Sequence, residues 1–188
     1  VEYVTIERAL LEGGRERLIL ARPLLEKVFG DEHVRVVDSF KGKKLKGRRY
    51  QPLFTFLTPD KPAYRVVLQD YVTIEDGTGL VHTAPAFGAE DMQAALEFDL
   101  PVLMTVAEDG AFIPEVRPWS GMFVKDADPL IIQDLAARGL LFRAATYTHT
   151  YPFCWRCDTP LLYYARSTWY IRTSQFKQRL VRLNQQIN

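Results

Sequence analysis

Alternating apolar and polar positions predict an antiparallel hairpin near the start of the chain. Residues 3–6 and 17–21 are rich in β-branched and apolar side chains, and Gly13 and Gly14 between them are a turn signal. Residues 34–37 predict a further strand of the same kind. The first forty residues are therefore expected to supply a hairpin and one further strand.

Helical spacing of apolar residues predicts three longer helices. The first covers 88–98, with Met92, Ala95, Leu96 and Phe98 on its buried side. The second begins at Asp128 as cap with Pro129 in its first turn, and it ends at Gly139. Its inward side is expected to carry Leu130, Ile131, Ile132 and Leu135. The third is capped by Ser174, with one apolar stripe formed by Phe176, Leu180, Leu183 and Ile187.

Shorter elements complete the predicted fold. Pro23 begins a short helix that Gly30 stops, and the glycine-interrupted basic stretch 41–49 is expected to be a loop. Further strands are predicted at 64–68, 71–74, 80–84, 101–106 and 140–148. Many strands interrupted by two or three helices predict a mixed α/β fold. We expect a curved, barrel-like, mainly antiparallel sheet with the helices at its periphery.

A change of composition after Thr150 predicts a boundary within the chain. Proline, cysteine, tryptophan and arginine concentrate beyond that point. Residues 1–150 are therefore predicted to form one domain, and 151–188 a separate segment.

Composition limits the classes of function. The chain has 188 residues, 47% of them hydrophobic and 25% charged, which is typical of a soluble globular protein. Its apolar runs are too short to cross a bilayer, and the start has neither Met nor a signal sequence. We therefore expect a cytoplasmic protein without a membrane partner, whose sequence begins within a longer polypeptide.

The net charge of +1 argues against a strongly basic nucleic-acid binder, yet the cations are clustered. Each cluster is either a solvated surface or a contact for an RNA backbone. The first comprises Lys41, Lys43, Lys44, Lys46, Arg48 and Arg49, and the second Arg166, Arg172, Lys177, Arg179 and Arg182.

Cys154 and Cys157 are the two cysteines, and they stand three positions apart. Such a pair suits half of a tetrahedral zinc site, which needs four ligands, and His149 could add at most a third. The alternative is a pair of reduced thiols without metal. A thioredoxin-like redox pair is disfavoured because the motif does not open a helix after a strand.

The segment 76–91 is the strongest candidate for a site. A glycine-rich turn leads into a short predicted strand, and Pro85 ends that strand before the helix at 88. His82, Thr83 and Asp91 could therefore converge at one crevice, with histidine as a base and the carboxylate as a partner for an ammonium group. Alternatively, His82 is a structural residue and Asp91 interacts only with the helix dipole.

The thirteen-residue string from Gly79 to Asp91 resembles the signature of the inserted editing domain of bacterial isoleucyl-tRNA synthetases. The segments 42–50, 109–110, 151–160 and 165–171 match the same family in the same order. Valyl and leucyl enzymes would be expected to carry a Pro-Ala-His-Asp string where this chain has Val81 to Pro85.

The resemblance implies a hydrolytic function that corrects a known error. A hydrophobic synthetic site rejects valine in favour of isoleucine by only about 1–3 kcal/mol, so a second, smaller pocket hydrolyses valyl-tRNA(Ile) or valyl-adenylate. By resemblance, Asp91 grips the α-ammonium group and His82 places the attacking water. The pocket would be lined by Thr83, Ala84, Pro85, Ala86, Phe87 and Gly88.

The resemblance also implies partners and one departure. Partners would be the 3′ end of tRNA(Ile), valine and the rest of the synthetase, toward which 151–188 would return. Editing needs no cofactor, the other zinc ligands of Cys154 and Cys157 would come from outside this chain, and ATP and Mg²⁺ act elsewhere in the parent enzyme. The family's threonine-rich Trp-Thr-Thr-Thr-Pro-Trp strand is absent from this sequence, so half of the site is expected to be missing. The alternative function is that of a non-catalytic RNA-docking or zinc-knuckle module of a larger synthetase.

Overall fold

A computed structural model describes residues 1–10, 13–146 and 148–187. Among them are three strands, β1 (Glu2–Ala9), β2 (Arg15–Ala21) and β3 (Arg35–Lys41), in the antiparallel order β2-β1-β3. The same residues contain four α-helices: α1 (Leu25–Phe29), α2 (Ala89–Phe98), α3 (Val124–Ala137) and α4 (Lys177–Asn184). The mixed α/β class with an antiparallel sheet is confirmed, and this sheet is open.

The sheet is built as the apolar pattern predicts. Val4 lies opposite Leu20, and Ile6 lies opposite Leu18, so that these side chains share one face. Phe29 of α1 packs against that face, and together they form the first hydrophobic core. The register of β1 with β3 shifts between Thr5 and Ile6, as at a β-bulge.

The predicted short helix is also confirmed. A 3₁₀ turn at Arg22–Leu24 carries Pro23 and runs into α1, and Gly30 follows with a φ of 52°. The basic stretch begins with a second 3₁₀ turn, Gly42–Leu45, whose Leu45 is buried. The other 3₁₀ turns of the described residues are Arg117–Trp119 and Thr173–Gln175.

The five later strand predictions are wrong for the described residues. The segments 64–68, 71–74, 80–84 and 101–106 have irregular backbone, as have 140–146 and 148, and Tyr147 lies outside the described residues. Isolated bridges join Arg49 to Arg65 and Val106 to Phe112. A β-branched run forms a strand only where a neighbour pairs with its backbone, which local sequence does not reveal.

Two helices differ from their predictions in position or in orientation. Helix α2 has the predicted bounds and buries Ala94 and Ala95, but Leu96 is 73% exposed instead of buried. Helix α3 begins at Val124, before the predicted cap, so that Pro129 lies inside it. The reason is that Ala127 packs fully buried beside Trp119 in a second core, and the helix extends backward to place it there.

The inward face of α3 is predicted only in part. Ile131 packs against the second core and Leu135 is half-buried, whereas Leu130 and Ile132 are exposed. Of the predicted apolar stripe, only Leu180 and Leu183 lie in α4, because Phe176 precedes the helix and Ile187 follows it. All four side chains are exposed. Ser174 lies in the 3₁₀ turn before α4 and does not cap the helix, whose N-cap position is Phe176.

Two further features concern the surface. Across the described residues, the model contains no helix with the length and apolar character needed to span a bilayer. The chain exposes 14910 Å² of surface, whereas a compact monomer of 21.6 kDa would expose roughly 9,000 Å². Much apolar surface is therefore uncovered, above all beyond residue 150.

Candidate functional site

Asp91 folds back from the first turn of α2 onto the loop that precedes the helix. Its Oδ2 accepts a hydrogen bond from the backbone N–H of Ala84 at 3.0 Å. Gly88 caps the helix with extended backbone, and a Cβ at that position would lie 2.7 Å from Asp91 Oδ2. Glycine at 88 therefore leaves the space that the carboxylate occupies.

The loop between Ala84 and Gly88 is a tight turn that is hydrogen-bonded to the later segment around Ala165. Phe87 donates its N–H to the carbonyl of Ala84 at 2.9 Å, which closes the turn around Pro85 and Ala86. Ala86 is 2% exposed, and its carbonyl accepts the N–H of Ala165 at 2.8 Å. Residues from both sides of the predicted boundary at 150 thus contact one another at this loop.

An aromatic pair supports the same turn. The rings of Phe87 and Tyr164 lie 6.3 Å apart between centroids, and the Tyr164 hydroxyl donates to the carbonyl of Val106 at 3.1 Å. Sequence reasoning missed Tyr164, whose only signal was its place in an apolar run.

The structure brings some predicted site residues together and leaves one outside. Ala84, Gly88 and Asp91 are in direct contact, and Thr83 and Pro85 are half-buried beside them in the chain. His82 is exposed, and within the described residues its ring makes no hydrogen bond or ion pair, with Asp91 or with any other group. The Asp91 side chain accepts no other hydrogen bond from the described residues, so its Oδ1 remains available to a ligand.

The turn before His82 is tied to the sheet. The Tyr3 hydroxyl donates to the carbonyl of Gly79 at 2.6 Å, and Ala21 donates its N–H to the carbonyl of Thr78 at 2.8 Å. Burial raises the pKa of Tyr3 above its ordinary value, so that the hydroxyl stays protonated as a donor. Gly79 has a φ of 76° and no room for a Cβ, which would lie 2.6 Å from that of Ala21. The hairpin thereby positions the start of the candidate site.

Cys154 and Cys157 lie in a compact turn. Cys154 donates its N–H to the carbonyl of Thr159 at 2.8 Å, and its own carbonyl accepts the N–H of Asp158 at 2.9 Å. Both thiols are free, and Cys157 Sγ lies 3.0 Å from the Thr159 hydroxyl. That hydroxyl, with the Thr159 backbone N–H and the side chain of Cys154, lowers the pKa of the Cys157 thiol.

The donor chemistry of this turn suits zinc, but the ligand set is half of what zinc needs. Thiolates are good zinc ligands, and a depressed thiol pKa favours the ligating form. In the part of the chain that the structure describes, no three His, Cys, Asp or Glu side chains gather as a metal-binding group. His149 is therefore not brought into a site with the two cysteines.

The first basic cluster is exposed beside the sheet. Lys41, Lys43 and Lys44 lie at the end of β3 and in the 3₁₀ turn, and Lys46, Arg48 and Arg49 follow them. Lys44, Lys46 and Arg48 line a cavity of about 980 Å³ over the sheet. None of the residues 82–91 lines it, so this cavity lies apart from Asp91.

Comparison with known proteins gives a consistent result. No protein-family model matches the chain. Over essentially its whole length, however, the chain is homologous to a segment of aminoacyl-tRNA ligases. Those relatives are isoleucine–tRNA ligases, and the chain is 46% identical over 187 residues to the one from Clostridium novyi.

Other relatives agree in name and in extent. The isoleucine–tRNA ligase of Clostridium kluyveri is 50% identical over 167 residues, or 89% of this chain and 16% of that protein. That of Thermus thermophilus is 46% identical over 180 residues, or 96% of this chain and 17% of that protein. The chain thus spans about a sixth of the length of its relatives.

Proposed function

We propose that this chain is the editing part of an isoleucine–tRNA ligase, and that it hydrolyses valyl-tRNA(Ile), valyl-adenylate or both. The observation that carries the proposal is the Asp91 carboxylate, held beside the Ala84–Gly88 turn with one oxygen available. Homology to isoleucine–tRNA ligases over the whole chain supports it independently.

The arrangement suits recognition of an aminoacyl group. Asp91 offers a negative oxygen to the α-ammonium group, and a charge-assisted bond there fixes the amino acid by its invariant part. Ala84, Ala86 and Gly88 have small side chains, and the proposal assigns them to the wall of a pocket that admits a valine side chain. Isoleucine is larger by one methylene, and a pocket that fits valine closely excludes it by steric clash.

Hydrolysis needs only water and a proton carrier. The water oxygen bonds to the ester carbonyl carbon, and the bond from that carbon to the ribose oxygen breaks. His82 accepts the proton from the water and returns one to the leaving ribose oxygen, the role of a general base and then a general acid. ATP and Mg²⁺ belong to the aminoacylation reaction of the parent enzyme and not to this step.

Residues 151–187 are proposed to pack against the remainder of the ligase. Trp155, Trp169, Tyr170 and Ile171 are exposed in this segment, together with the stripe of α4. Exposed apolar side chains in such number are typical of an interface rather than of a free surface. Cys154 and Cys157 would then supply two of the four ligands of a structural zinc, with the other two from that remainder. In this proposal the complete protein works in the cytoplasm, where tRNA is charged.

The test is hydrolysis of valyl-tRNA(Ile) by the complete ligase carrying Asp91→Ala. Loss of a charged hydrogen bond should weaken binding of the aminoacyl group by about 1.5–3 kcal/mol. Glu90→Ala is the matched control, because Glu90 is an exposed carboxylate in the same turn of α2 and makes no hydrogen bond among the described residues. Equal rates for the two variants and the parent would contradict the role of Asp91.

A further inference from the structure

The face of the sheet opposite the first core is open and forms the floor of the 980 Å³ cavity. Ile19 of β2 and Phe40 of β3 contribute apolar side chains to this floor. The rim carries four cations. We name the cavity the cationic groove and define it by Ile19, Phe40, Arg17, Lys44, Lys46 and Arg48.

The charge of the cationic groove is only slightly compensated. Asp38 is the one carboxylate among its lining residues, and Arg17 is paired with Glu7 outside them at 3.2 Å. Among the described residues, Lys44, Lys46 and Arg48 make no ion pair. Three cations without an ion pair and one carboxylate therefore line the same opening, and this excess of positive charge favours a polyanionic ligand.

The apolar floor restricts which polyanion fits. Lys44 Nζ lies 5.5 Å from the centroid of the Phe40 ring. The ammonium group lies over the face of the ring, and a base that took its place there would bring its own phosphate beside the displaced ammonium group. An aromatic face within a positively charged groove is the arrangement that binds single-stranded nucleic acid, since each base has a flat face and each nucleotide a phosphate.

We infer that the cationic groove binds single-stranded RNA, with phosphates at Lys44, Lys46 and Arg48 and a base against Phe40. The site is separate from the loop of Asp91 and does not depend on hydrolysis there. For a protein that acts on aminoacylated RNA, it would supply a second anchoring point for the same substrate.

The experiment measures binding of a fluorescent single-stranded RNA of about 12 nucleotides, a length in the range of single-strand sites. The protein is this 188-residue chain, and the salt concentration is varied. The test variant is Lys44→Ala/Lys46→Ala/Arg48→Ala. The matched control, Lys61→Ala/Arg117→Ala/Lys125→Ala, removes the same charge at three exposed positions outside the groove.

The test variant should bind the RNA about 10-fold to 100-fold more weakly at low salt. The slope of log affinity against log salt should fall by about 2, because each phosphate contact contributes about 0.7 for a single strand. The charge control should keep most of the affinity. Phe40→Leu should weaken binding about tenfold without changing the salt slope, since it removes a stacking face and no charge.

Equal affinity and slope for the test variant and its control would overturn the inference. The inference would also be overturned if both groove variants lowered the thermal stability of the complete ligase and left RNA binding unchanged. That result would mean that a polypeptide segment fills the groove. Asp91→Ala should retain RNA binding, and the groove variants should retain hydrolysis of valyl-adenylate, so failure of one site is distinguishable from failure of the other.

Discussion

The position of the Asp91 carboxylate depends on the absence of a side chain at Gly88. The carboxylate reaches the Ala84 N–H only because no Cβ stands at 88. The backbone of Gly88 has a φ of −147°, which any residue adopts. The requirement for glycine here is therefore one of space.

Gly88→Ala should consequently reduce hydrolysis of valyl-tRNA(Ile) while leaving the fold intact. The new methyl group displaces the Asp91 carboxylate, and a small displacement of a positioning group commonly costs about 100-fold in rate. Hydrolysis by the complete ligase measures the effect. Gly139→Ala is the control. Gly139 follows α3 with a φ of 65°, which strains an alanine, but a Cβ there would meet no other atom. The control should lower thermal stability but keep the rate, and a rate loss as large as that of Gly88→Ala would contradict the argument.

Among the elements, the first hairpin and its third strand are held on their outer face by charge. Glu7 lies opposite Arg17 and Arg35 and also pairs with Arg15, and its side chain is 10% exposed. The hydrogen bond from Arg35 at 2.7 Å outweighs burial and, with Arg17, holds the pKa of Glu7 below its ordinary value. The stabilisation is present above the ordinary pKa of glutamate and disappears as the pH falls through the lowered value.

Glu7→Gln should therefore lower the melting temperature at neutral pH and flatten its fall in acid. The glutamine keeps the shape but cannot titrate, so the three arginines lose their counter-charge at every pH. Thermal melts between about pH 2 and 7 measure this. Glu75→Gln, at an exposed carboxylate without an ion pair among the described residues, should follow the parent curve. An unchanged acid profile for Glu7→Gln would contradict the assignment.

Helix α3 carries a proline where a helix does not favour one. Pro129 is the sixth residue from Val124, so it lacks an N–H that the Lys125 carbonyl would otherwise accept, and its ring crowds that carbonyl. The burial of Ala127 beside Trp119 compensates for this local cost.

Pro129→Ala should increase the free energy of unfolding by about 2–2.5 kcal/mol, the gain in helix propensity less the added freedom of the unfolded chain. Urea denaturation gives this quantity. Pro23→Ala is the matched control, because Pro23 lies in the first turn of its 3₁₀ helix, where no N–H bond is lost. That variant should be destabilised by about 0.4–1 kcal/mol. Stabilisation of both variants, or of neither, would show that α3 is not strained by its proline.

The molecule as a whole forms its hydrophobic cores but does not bring all residues of the candidate site together. Two hydrophobic cores form, and the loop of Asp91 is held by residues 164–165. Yet His82 is exposed and the surface area far exceeds that of a compact monomer. The two cores favour folding of the chain, and under the proposed function further groups would have to face His82 and Asp91.

Adding the threonine-rich strand of the family upstream of Val1 should therefore raise the rate of valyl-tRNA(Ile) hydrolysis by about 100-fold or more. The estimate follows from the effect of removing one preorganised donor at a reacting oxygen. Rates of the 188-residue chain and of the extended polypeptide would be compared with the same substrate. The control extension carries alanines in place of the threonines. Equal rates for all three polypeptides would mean that the residues of this chain suffice.

Local patterns were enough to predict the hairpin, β3, α1, the bounds of α2 and the mixed α/β class, because period-2 alternation and glycine or proline signals act within a few residues. It also identified the Gly79–Asp91 string and, through it, the homology to isoleucine–tRNA ligases. Tertiary contacts determine which β-branched runs pair and where α3 begins. They also turn Leu96 toward solvent and bring the Asp91 carboxylate back to the Ala84 N–H. Each of these depends on a neighbour distant in sequence, and no local pattern specifies which neighbour will be there.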